Sequence, residues 1–134
     1  MTDMARVGQS SFSAVYTAGK PAKVRLSAVM IIVYITCASA AEAKKIGRVL
    51  VKKRLAACSI VIPGALSFYR WPPKKNKIER SIEAILLVKT LKKKFSAVGQ
   101  EVKKIHSYTV PCIFSIPIER ANAAYLRWLG TELK

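Results

Sequence analysis

Nucleophilic and soft-metal chemistry needs thiolates or imidazoles, and this chain has few of either: one histidine, His106, and three cysteines, Cys37, Cys58 and Cys112. A cysteine activated by a histidine is a standard nucleophile. Here Cys112 stands six residues beyond His106, across Pro111, and no spacing brings Cys37 beside the ring. As a metal ligand His106 needs partners from Cys37, Cys112 or a neighbouring subunit, because a structural zinc site takes four side chains. The plainer role is a polar residue that closes a helix at HSYTVP. G-x-S-x-G, H-E-x-x-H and a Gly-rich phosphate loop are all missing from the sequence, which excludes the common hydrolase, zincin and nucleotide-hydrolysing layouts. The cysteines are odd in number, far apart and set in apolar runs. That pattern predicts reduced thiols in a cytoplasmic protein rather than a disulfide framework or metal knuckle.

The charge is the second chemical feature. The 134 residues carry 24 Lys and Arg against 7 Asp and Glu, a formal net charge of +17. Acidic partners are therefore in view: nucleic acid, anionic lipid or phosphorylated ligands. The lysine clusters also fit the solvated faces of amphipathic helices. Sequence-specific RNA binding on a sheet would need an aromatic RNP-type motif, which the chain lacks, so specific nucleic-acid recognition is not expected.

The elements that position these groups begin at MIIVYITCASAA, residues 30–41. As a secretory signal it has a charged approach and an A-S-A site. It would lie behind some 25 residues, however, whereas a whole signal occupies about 15–30. As a transmembrane helix it falls short of the ~20 apolar residues required. As a β-strand it fits: Ile31, Ile32, Val33, Tyr34 and Ile35 are β-branched or aromatic, and Ser39 with Glu42 forms a capping box for a following helix. Residues 1–29 are rich in Ser, Ala, Gly and Lys without sustained periodicity, and read as a flexible extension. A Ser-rich, acid-poor transit peptide is the competing reading. The domain then runs from 30 to 134.

Apolar positions at Ala43, Ile46, Val49, Leu50 and Ala57 predict an amphipathic helix over 40–57. CSIVIPGALSFY at 58–69 is a strand with a bend or bulge at Pro63-Gly64, and residues 78–89 with AILLV are a third strand, joined to the second by a basic, Pro-stiffened loop. Thr90 is the expected N-cap of a second helix carrying Leu91, Phe95, Val98, Val102 and Ile105. CIFSIPI at 112–118 is a fourth strand, and 121–133 a terminal helix with Tyr125, Trp128 and Leu129 on one side. The order β-α-β-β-α-β plus one helix is the α+β split, ferredoxin-like antiparallel sheet. Strands one, three and four are apolar on both faces, yet two crossover helices cover only one face. The other face must meet further copies of the chain, which predicts a homo-oligomer.

Three segments together, KRLAACSIVIPGALSFYRW, IERSIEAILLVKT and HSYTVPCIFSIPIERANAAYLRWL, resemble the CutA divalent-cation tolerance family across residues 30–134. The resemblance implies a PII-like homotrimer of ferredoxin-like subunits with strands extended between them, non-enzymatic and linked to copper and other divalent cations. It also implies that Tyr69 and Trp71 lie at the subunit interface. In the branch of the family with described copper ligation, the ligand positions correspond here to Ile35, Ile105 and His106, so His106 is retained and Cys37 is the nearest substitute. A weak or Cu(I)-type site follows, with copper as the implied cofactor. The alternative is a PII-like regulator that binds a small anionic ligand or nucleotide in an inter-subunit cleft formed by Lys89, Glu83, Tyr108 and Arg70. Family members are commonly acidic, whereas residues 30–134 here hold 20 Lys and Arg against 6 Asp and Glu, a net +14.

Overall fold

The computed structural model describes residues 30–74 and 76–134. The extension expected over 1–29 lies outside the described residues. The elements are β1 (Met30–Cys37), α1 (Ala40–Lys52), β2 (Cys58–Tyr69), β3 (Glu79–Leu91), a 3-10 turn (Lys92–Lys94), α2 (Phe95–Ile105), β4 (Ile113–Pro117) and α3 (Ala123–Glu132). The four strands form one sheet in the order β2-β3-β1-β4, every neighbouring pair antiparallel. This is the split arrangement expected from the alternation of apolar strands and amphipathic helices.

Alternation along the strands decides what each face holds. Val33, Ile35 and Cys37 of β1, with Ala84, Leu86 and Val88 of β3, point to the helical side and are buried. Ala43, Ile46 and Leu50 of α1 and Val98 and Val102 of α2 pack onto them in one cluster. Each such side chain removed from water contributes roughly 1.5–3 kcal/mol, so this layer dominates the stability of the subunit. The close fit of α1 to β2 depends on Gly47. A methyl group there would stand 3.1 Å from both Leu86 Cδ1 and Ser59 Cβ. Ser59 uses the space to donate its hydroxyl to the Gly47 carbonyl at 3.1 Å.

The bulge in β2 falls where Pro63-Gly64 predicts it: the register with β3 shifts between Ile62 and Ala65, and Gly64 takes φ +75. That left-handed conformation is one a side chain resists. Other local expectations change. Ser39 caps α1 by accepting from the Glu42 amide at 3.1 Å, but the reciprocal half of the capping box does not form. The Glu42 carboxylate is held instead by the Ser107 amide and hydroxyl, at 3.0 and 2.8 Å. Helix α1 stops at Lys52, five residues early, because Ala56 and Ala57 turn into the sheet and the Ala57 amide reaches the Lys89 carbonyl at 3.0 Å. Thr90 is not the cap of α2. It remains in β3, fully buried, and donates its hydroxyl to the Leu55 carbonyl at 2.7 Å, while the 3-10 turn opens α2 without a side-chain cap.

Asn122 caps α3 by accepting from the Tyr125 amide. The helix seats Leu126, Leu129 and Leu133 against Met30, Ala57 and Leu91, a second cluster at the end of the sheet where β1 begins. Over the rest of the non-helical face Ile60, Ile62, Phe114 and Ile116 remain exposed, and Phe114 stacks on Tyr34 with ring centroids 4.7 Å apart.

Candidate functional site

The end of the sheet away from α3 carries a cleft of about 620 Å3. Thr36 at the end of β1, Ser67 to Trp71 at the end of β2, Glu83 of β3 and the turn 107–112 enclose it. The β2 bulge precedes this stretch, so the hairpin of β2 and β3 continues past the covered part of the sheet with Leu66, Phe68 and Ile82 exposed. Glu83 sits on the same face as Ile85 and Leu87 but is 9 % exposed, a buried carboxylate that requires a partner. Tyr108 supplies it, donating its hydroxyl to Glu83 Oε2 at 2.7 Å. Desolvation, followed by this bond to the carboxylate, pushes the Tyr108 phenol well above its ordinary range, so it remains a donor at neutral pH. Arg70 brings the cleft a cation, and Phe68, Tyr69 and Trp71 bring aromatic surface. Tyr69 is itself braced, its hydroxyl donating to Ser81 Oγ at 3.2 Å.

His106 stands behind the cleft, at the C-terminal cap of α2. Its Nδ1 accepts from the Tyr108 amide at 3.0 Å and its Nε2 meets the Thr36 carbonyl at 2.7 Å. An amide only donates and a carbonyl only accepts, so Nε2 donates to Thr36 and Nδ1 accepts from Tyr108. Glu42 Oε1 lies 3.3 Å from Nδ1 while being held by Ser107. Both nitrogens are therefore occupied in positioning Tyr108, and through it Glu83.

Cys37 is fully buried on the helical face of β1. Burial first, then the carboxylates of Glu42 and Glu83, push its thiol from 9.0 up to about 12. A metal at His106 and Cys37 would require the ring to release a hydrogen bond and the thiol to ionise inside the core. Among the described residues no three His, Cys, Asp or Glu side chains are grouped to hold an ion. As arranged, this pair does not fit copper.

Of the residues assigned to the ligand cleft, Glu83, Tyr108 and Arg70 come together with Tyr69 and Trp71. Lys89 does not join them within the subunit. It lies six residues along β3, with Nζ 5.4 Å from the centroid of the Tyr125 ring. The sequence reading missed Thr36, Ser107 and Cys112 as lining residues, and the role of Glu42 in holding the turn. Pairing of Glu42 with a serine 65 positions away leaves no trace in local spacing.

A four-stranded antiparallel sheet with its crossover helices on one face and a cleft at one end defines a ferredoxin-like α+β protein. The family model for the CutA1 divalent ion tolerance protein matches residues 31–132, and the chain belongs to that family. A CutA homolog of Xenopus laevis is 43 % identical over 97 residues, 72 % of this chain and 62 % of that protein, so the chain spans less than two thirds of that relative. The divalent-cation tolerance protein CutA of Archaeoglobus fulgidus is 45 % identical over 102 residues, covering 76 % of this chain and 96 % of that protein. A solved structure of the A. fulgidus protein, described as a periplasmic divalent cation tolerance protein, superposes with a TM-score of 0.74 at 42 % identity, covering 78 % of this chain and 99 % of the other.

Proposed function

We propose that the protein acts in divalent-cation tolerance as a non-enzymatic homotrimer, and that the Glu83–Tyr108–Arg70 cleft is its working site, completed by a neighbouring subunit and taking a small anionic ligand. The observation that carries this reading is the buried Glu83 carboxylate held by Tyr108 beside an exposed Arg70, with aromatic walls. Such a set binds and orients; Arg70 offers a planar fork to a phosphate or carboxylate, and Phe68 and Trp71 offer ring faces. The apolar face of the sheet supports the oligomer: the exposed Ile60 and Ile62 on β2 and Phe114 and Ile116 on β4 are joined across the sheet by half-buried Ile32, Tyr34, Ile85 and Leu87, the kind of patch that soluble monomers seldom present. Copper is at most a weak, Cu(I)-type occupant held away from His106 and Cys37, whose ring nitrogens and buried thiol are already committed. Three free cysteines, with Cys112 exposed, suit a reducing compartment such as the cytoplasm. Among the described residues no helix is long and apolar enough to cross a membrane.

Calorimetric titration of the purified oligomer with copper, zinc and nucleotides tests the proposal. The expected result is anion binding that disappears in Arg70→Ala and persists in Lys74→Ala. Binding of copper or zinc alone, unaffected by Arg70→Ala, overturns the assignment of the cleft.

A further inference from the structure

The helical layer carries a second surface that the cleft reading leaves unused. Lys44, Lys45, Arg48 and Lys52 are exposed on α1, and positions 44, 48 and 52 form a row along the helix. With 1.5 Å of rise per residue, successive members of that row are about 6 Å apart along the axis. Beside it runs an open groove of about 800 Å3 between α1 and the edge strand β2, floored by Gly47, Ser59 and Val61. Among the described residues no acidic one lines the groove. The nearby carboxylates are committed elsewhere: Glu42 to Ser107, and Glu101 to Lys53 and Lys104. Bonding to Lys53 first of all holds Glu101 below the usual carboxylate range, so it stays ionised and paired. Among the described residues none of the four groove cations forms an ion pair.

Like charges four residues apart on a helix repel, so the row presents a focused positive potential that a polyanion relieves. Chemistry narrows the partner. A membrane-surface helix inserts bulky apolar side chains, whereas among the described residues the exposed apolar residue of this groove is Val51 alone. Single-stranded nucleic acid is held by aromatic stacking, and among the described residues no aromatic side chain lines the groove. A regular phosphate backbone remains. We propose that the groove between α1 and β2 binds the backbone of double-stranded nucleic acid through Lys44, Lys45, Arg48 and Lys52, without reading its sequence. This surface is independent of the Glu83 cleft.

Fluorescence anisotropy of the full chain with a labelled DNA duplex at rising salt tests it. Four phosphate contacts give a slope of log affinity against log salt of about −3.6, a loss on the order of 100-fold between about 50 and about 200 mM salt. The combined Lys44→Ala, Arg48→Ala, Lys52→Ala variant keeps a strong helix former at each position and is expected to bring the slope to about −1. Arg48→Ala alone lowers the slope by about 0.9, which keeps the test decisive if the combined variant folds poorly. A control with the same loss of charge in the β2–β3 hairpin, Lys74→Ala, Lys77→Ala, Arg80→Ala, keeps the parent slope. Equal weakening by both combined variants overturns the site, as it would mean attraction to net charge alone. Tighter binding to phosphatidylserine vesicles or polyglutamate than to the duplex, lost in the groove variant, assigns the groove to another partner and overturns the proposal.

Discussion

The Nε2–H of His106 donates to the Thr36 carbonyl at 2.7 Å, tying the end of β1 to a turn 70 residues further along the chain. Because Nδ1 accepts from Tyr108 in the same turn, one ring fixes both the turn and the phenol that holds Glu83. His106→Ala leaves a carbonyl and an amide without partners. A loss of about 2 kcal/mol or more is expected in urea unfolding, from two deprived polar groups. A stability equal to that of the parent would show that water replaces the ring.

The same geometry bears on copper. Competition with a Cu(I) chelator should find weak retention that His106→Ala and Cys37→Ser, made separately, do not reduce. If either variant releases copper that the parent keeps, the residue substituted in it is a ligand.

Cysteine reactivity separates two of the three thiols. At neutral pH Cys112 is exposed and should be alkylated by iodoacetamide in the folded protein, whereas Cys37 should react only after unfolding. Mass spectrometry of the modified peptides decides it. Its raised pKa also carries a stability consequence. Between 9.0 and about 12 the folded state keeps the Cys37 proton while the unfolded state loses it. Fewer protons on the unfolded chain mean that stability falls as pH rises through that window, having been fully present below it. Cys37→Ala should flatten the fall relative to the parent; an unchanged profile would assign it to other groups.

Trp71 is 49 % exposed in the single subunit, beside an exposed Phe68. Aromatic anchors of this kind dominate association when a partner desolvates them. Trp71→Ala is expected to weaken the proposed trimer by about 2 kcal/mol, read as subunit dissociation on dilution by light scattering. A trimer equally resistant to dilution would make Trp71 a wall of the cleft and no more.

A chain that starts at Met30 contains every described strand and helix. It should match the full chain in melting temperature and in elution as an oligomer. A large fall in either would give residues 1–29 a part in the assembly.

How much was legible in the sequence depended on the range of the interaction responsible. The strand at residues 30–37, the bulge at Pro63-Gly64 and the apolar stripe Phe95, Val98, Val102 and Ile105 are set by side-chain shape, backbone freedom and periodicity, all expressed within a few residues. The β-α-β-β-α-β order follows from them, as does the unmet need of the second sheet face. Polar side chains were different. Thr90 has the right type for a helix cap and Glu42 for a capping box, yet each bonds to a group far along the chain: Thr90 to the Leu55 carbonyl, Glu42 to Ser107. His106 and Cys37 look like a soft-metal pair on paper; folding gives one ring two backbone partners and buries the other's thiol among aliphatic side chains. A hydrogen-bonding group takes whichever partner the packed sheet brings within about 3 Å. Local sequence supplied the elements of this protein, and only the tertiary structure decided which polar atoms meet, because those meetings are set by distance in space and not by separation along the chain.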